Sequence, residues 1–91
     1  MGSVAAPIRL ADAAVARLLH TGDHVDILAA RADAPLPART VASAVPVIAV
    51  PKPGPDTDEG ALIVVQTSRD QAAVLARASA DSRLSVTILG E

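Results

Sequence analysis

The chain has 91 residues and a net charge of −2, and it is 51% hydrophobic and 20% charged, which is the balance of a folded globular domain and not of a disordered one. It contains no cysteine, so disulfides and thiol chemistry are excluded. It also contains no Phe, Trp or Tyr and no basic cluster, which argues against nucleic acid as a partner, because single strands are bound by ring stacking in a basic groove.

The first quarter of the chain predicts a short strand followed by a short helix. Val4–Leu10 has the composition of a strand, and Pro7 places that strand at a sheet edge, where a missing N–H donor does little harm. Asp12 is a suitable N-cap for a helix over Ala13–Leu19. The side chains at helical spacing, which predict its inward face, are Val15, Leu18 and Leu19.

A tight turn and a second strand follow. Gly22 ends the helix, because glycine adopts backbone conformations that residues with a Cβ resist, and Asp23 is expected to accept hydrogen bonds from the turn amides. His24–Ala30 then alternates with period 2, as in a half-buried strand. Its predicted inward residues are Val25, Ile27 and Ala29, and its predicted outward residues are His24, Asp26 and Leu28.

The middle of the chain contains two loops and two extended runs. Arg31–Pro37 and Lys52–Gly60 have the Pro, Gly and acidic residues of loops. Arg39–Ala42 and Val45–Pro51 are predicted as separate strands, and the prolines of the second place it at an edge or a bend. The longest uncharged run, Thr40–Pro51, is too short for a bilayer span of about 20 residues.

The last third predicts a strand, a helix and a strand. Ala61–Thr67 is apolar on both faces, which places it centrally in the sheet. Ser68 and Gln71 form a capping box, in which Ser68 caps the third residue on and Gln71 reaches back, at the start of a helix over Arg69–Ala80. Arg83–Leu89 alternates as a closing strand. The predicted inward residues are Ala72, Leu75, Ala76 and Ser79 in the helix and Leu84, Val86 and Ile88 in the strand.

These elements predict an α+β fold: a small mixed, partly antiparallel sheet with one short and one longer helix. We interpret residues 4–91 as a single domain and residues 1–3 as a cloning leader.

Few side chains in this sequence are candidates for metal binding or catalysis. His20, Asp23, His24 and Asp26 form the one dense group of metal-ligand types, but a metal needs three or four such groups at one point, and the predicted elements separate them. We expect Asp23 to bond turn amides, His20 to favour the helix C-terminus, and His24 and Asp26 to be solvated. The acidic residues of the second loop lack the spacing of a calcium loop, and no serine lies in a nucleophile elbow. We therefore predict no catalytic residue, no metal and no cofactor. The acidic loop residues are Asp56, Asp58 and Glu59.

Nearly the whole chain resembles a known family, most clearly at the turn and the strand that follows it. The ordered segments PIRL, ADAAVARLL, GDHVDIL, ARTVASAVPVIAV and ALIVVQTSRDQAAVLARASADSRLSVTIL are similar to the RcpC/CpaB-type domain of Flp (tight-adherence) pilus assembly proteins, which is associated with SAF (β-clip) modules. The resemblance covers roughly residues 4–89. It departs from the family at Thr21, where proline is usual, and in carrying no SAF module and no membrane anchor. The matching positions are Pro7, Arg9, Gly22, Asp23, Val25, Asp26, Val47, Thr67, Leu75, Leu84 and Leu89.

The resemblance implies a β-clip-like fold and a non-catalytic assembly or interaction domain of an exported protein. It would act on the extracytoplasmic side of a bacterial cell envelope, anchored by a segment absent here, with secretin or other pilus-secretion components, or a neighbouring domain of its own chain, as protein partners. A homo-oligomer is also compatible, and no contact of this segment with the membrane is implied. The alternative is a SAF-related module that binds a glycan or peptidoglycan, although sugar binding commonly uses aromatic platforms.

Overall fold

Residues 2–31, 37–51 and 61–90 are described by the structure, a computed structural model. Residues 32–36 of the first predicted loop and 52–60 of the second, with Asp56, Asp58 and Glu59, lie outside the described residues. Within the described ranges the chain forms five strands and two helices. In chain order these are β1 (Ser3–Leu10), α1 (Ala13–Ala16), β2 (His24–Ala30), β3 (Arg39–Ala49), β4 (Ala61–Ser68), α2 (Arg69–Asp81) and β5 (Arg83–Gly90).

The strands form one sheet in the order β1-β4-β3-β2-β5, which confirms the α+β class. Each of the four strand pairings is antiparallel, so the parallel component expected of a mixed sheet is not found among the described strands. The predicted positions of β1 at an edge and β4 in the interior are confirmed. The two edges approach each other at one point, where the N–H of Ala11 donates to the carbonyl of Leu84 at 3.0 Å.

The third strand differs from its prediction. Arg39–Ala49 is one strand, not two, and it lies in the middle of the sheet. Of the two alternatives predicted for Val45–Pro51, an edge or a bend, the edge is therefore wrong. The first part of β3 pairs with β2 and its last part with β4, and the register of both pairings is irregular. Ala44, with φ of 51°, interrupts the regular strand. Pro46 is tolerated here because it stands where the pairing passes from β2 to β4.

The core on the inner face of the sheet is formed by aliphatic side chains, and Thr67 of β4 is a polar residue buried beside them. Strands β2 and β4 alternate as period 2 requires, and the predicted inward residues of β2 are buried. The outer face of β4 is more open than predicted, since Leu62 is exposed and Val64 half-buried. The largest fully buried side chains are Leu10, Val25, Ile27, Val47, Ile63, Val65, Leu75 and Leu84.

The first helix is shorter than predicted. Asp12 caps it as expected, since its Oδ1 accepts the N–H of Ala14 at 2.9 Å. After Ala16 the N–H groups of Leu18 and Leu19 donate to residues three positions earlier, and this tighter 3₁₀-type winding brings residues i and i+3 onto one face. Ala16 and Leu19 are therefore buried, whereas Leu18, predicted inward, is 63% exposed.

The second helix begins where the capping box predicts. Ser68 Oγ accepts the N–H of Gln71 at 3.1 Å. The side chain of Gln71 does not reach back, however, because its Nε2 donates to the carbonyl of Val41 in β3. Since this face of the helix turns toward β3, the buried residues are Leu75 and Ala78. The predicted inward positions Ala76 and Ser79 are exposed instead.

The side chains on the inward face of β5 become more exposed from the start of the strand to its end. Leu84 is buried and Val86 half-buried, as predicted, but Ile88 is 36% exposed. The reason is that β5 lies at the edge of the sheet, so no other strand of the described ranges covers its end. Among the described residues, no helix has the length and apolar character needed to cross a bilayer.

Candidate functional site

The turn motif, defined as Gly22, Asp23, Val25 and Asp26, connects α1 to β2. The N–H of Asp23 donates to the carbonyl of His20 at 3.0 Å, which closes a four-residue turn. Gly22, the third residue of this turn, has φ of +101°, and a type II turn requires a positive φ at that position. The positive φ is the physical reason why the chain carries glycine there.

Asp23 holds this turn with its side chain. Its carboxylate is largely buried, and Oδ2 accepts the backbone N–H of His20 at 2.8 Å. The predicted role of Asp23 at the turn amides is therefore the one that the structure shows. His20 is exposed, and its Nδ1 lies 3.8 Å from the same carboxylate oxygen.

The turn is also hydrogen-bonded to the central strand β3. The N–H of Gly22 donates to the carbonyl of Val47 at 2.9 Å, and the N–H of Val47 donates to the carbonyl of Asp23 at 2.8 Å. Two residues after Asp23, Val25 is completely buried in the core. The motif thus fixes the start of β2 against β3 through backbone bonds on one side and core packing on the other.

Asp26 has a role that the sequence did not predict. It was expected to be solvated on the outer strand face, but its Oδ1 accepts the N–H of Ala44 at 2.8 Å. Ala44 has the left-handed φ of 51°, and the β2–β3 register shifts on both sides of Ile27. The irregular pairing leaves the Ala44 N–H within reach of the outer face. Glycine or asparagine at position 44 would have signalled this conformation; alanine does not.

Within the described ranges, no three His, Asp or Glu side chains form a group that could hold a metal ion. His20, Asp23, His24 and Asp26 do not converge, because each of the two carboxylates is directed to a different backbone amide. What the arrangement does is structural: one carboxylate stabilises the turn and the other stabilises the irregular part of β3.

Comparison with protein-family models, curated proteins and solved structures finds no match to this chain. The resemblance to the RcpC/CpaB-type domain is therefore carried by the residues quoted for it, and what it implies remains a hypothesis. The geometry of the turn motif is independent of that hypothesis.

Two substitutions test the contact between Asp26 and Ala44. We expect Asp26→Ala to lower the free energy of unfolding by about 0.5–1.5 kcal/mol, because it removes the bond from the Ala44 N–H, which lies on an exposed face where water can replace the lost acceptor. We expect Ala44→Gly to raise it by up to about 1 kcal/mol, since the left-handed conformation costs alanine about 1–2 kcal/mol and glycine much less, while the unfolded chain gains freedom. Urea unfolding measures both. A destabilised Ala44→Gly variant would contradict the strain assigned to Ala44.

Proposed function

We propose that this domain is a non-catalytic assembly and interaction module of an exported, SAF-associated protein similar to Flp pilus assembly proteins. One observation carries the proposal. The motif on which the resemblance centres has two carboxylates, and each accepts a hydrogen bond from a backbone N–H. The N–H of His20 donates to Asp23, and the N–H of Ala44 donates to Asp26. A motif whose acids are used to hold the backbone is suited to building a rigid domain and not to general acid–base work, which needs a carboxylate directed at a substrate proton.

The distribution of apolar side chains supports association as the way this domain acts. Among the described residues, six large aliphatic side chains are exposed: one lies in the segment that follows α1, and the others lie on α2 and the strands β3, β4 and β5. On the outer face, Leu62 of β4 lies beside Arg9 of β1, and Val64 lies beside Pro7. Exposed aliphatic groups rimmed by polar residues are common in protein-binding surfaces. The six residues are Leu18, Ile48, Leu62, Val74, Ile88 and Leu89.

The proposed setting is the extracytoplasmic side of a bacterial envelope. The partners are secretin or other pilus-secretion components, or a neighbouring domain of the same protein. The ring-free core favours such docking, because a core of Val, Leu, Ile and Ala buries less area than one with aromatic rings, each of which buries about 150–250 Å². An additional interface would add stability to the domain that it covers.

Affinity capture tests the proposal. The tagged domain is cross-linked in an envelope fraction of the source bacterium, and the captured proteins are quantified against a tag-only bait. We expect enrichment of a secretin or another pilus-secretion component. The six exposed residues are then changed to lysine one at a time, and we expect only those within the interface to lower the enrichment, so that each variant is a control for the others.

A second arm uses purified peptidoglycan sacculi. The proposal predicts that the domain stays in the supernatant when the sacculi are pelleted. Co-sedimentation with sacculi, or capture that brings down no pilus-secretion component, would overturn the proposal, and the first of these results would favour the glycan-binding alternative.

A further inference from the structure

We draw no further inference here: the strongest candidate, the apolar patch that Pro7 of β1, Leu62 and Val64 of β4 and Ile48 of β3 form on the outer face of the sheet, carries none, because nothing in the described part of the chain shows what covers it.

Discussion

Replacing Leu75 with alanine is expected to lower the free energy of unfolding by about 2–5 kcal/mol. Leu75 is 1% exposed and, with Ala78, supplies the buried surface of α2. This helix packs against β1, β3, β4 and β5, so a cavity at Leu75 weakens the contact between the helix and most of the sheet. The surrounding core contains no aromatic ring that could shift to fill the space.

The matched control is Val74→Ala in the same helix. Val74 is 48% exposed, and we expect a change within about 0.5 kcal/mol, as is usual for surface substitutions. Both variants are measured by urea unfolding followed by circular dichroism, with the slope of the transition checked for two-state behaviour. Equal effects at the two positions would show that α2 is not held to the sheet through Leu75.

Four of the strands, β3 being the exception, and the second helix could be predicted from local pattern. The strand His24–Ala30 was predicted with the bounds that the structure has, because strict alternation on a half-buried surface specifies both the strand and its inner face. The start of α2 was predicted from Ser68, since its side chain acts within four residues of sequence. Such features depend on neighbours along the chain and are therefore visible in the sequence.

The features that were missed depend on contacts between distant segments. The left-handed conformation of Ala44 in β3 is stabilised by the carboxylate of Asp26, 18 positions earlier. The rotation of α2 accompanies the bond from Gln71 to Val41, 30 positions away. No local sequence pattern predicts hydrogen bonds between residues so far apart in the chain. The exposed Leu18 is a different case, because a helix of four residues has too little hydrogen bonding of its own to keep its winding regular.

The same distinction applies within the turn motif. Gly22 and Asp23 could be assigned roles from the sequence, because the residue types that a four-residue turn needs all lie within the turn itself. The part of Asp26 could not be assigned, since its partner is an alanine, a residue type that carries no signal for a positive φ. The motif therefore combines a local turn with a long-range hydrogen bond between Asp26 and Ala44, and only the turn can be predicted from the sequence.

Replacing Gly22 with valine is expected to lower the free energy of unfolding by about 1–3 kcal/mol, the usual cost of forcing a side chain into a rarely populated backbone region. A Cβ at Gly22 would meet no atom within 4 Å, so the effect arises from the φ of +101° and not from a clash. The backbone cannot relax easily, because the Gly22 N–H is bonded to Val47 and the Asp23 N–H to His20.

Gly2→Val is the control for this prediction. Gly2 also has a positive φ, of +82°, and open space around its Cβ position, but it precedes β1 and can change conformation without breaking the sheet. We expect it to leave stability unchanged within about 0.5 kcal/mol.

Asp23→Ala is expected to lower the free energy of unfolding by about 0.5–2 kcal/mol through the loss of its bond to the His20 N–H. Combined with Gly22→Val it should cost less than the sum, because a turn already distorted by valine no longer presents that N–H to the carboxylate. Chemical unfolding of the four variants measures each term. Additive effects, or a Gly22→Val variant as stable as Gly2→Val, would show that the positive φ and the carboxylate do not stabilise one common turn.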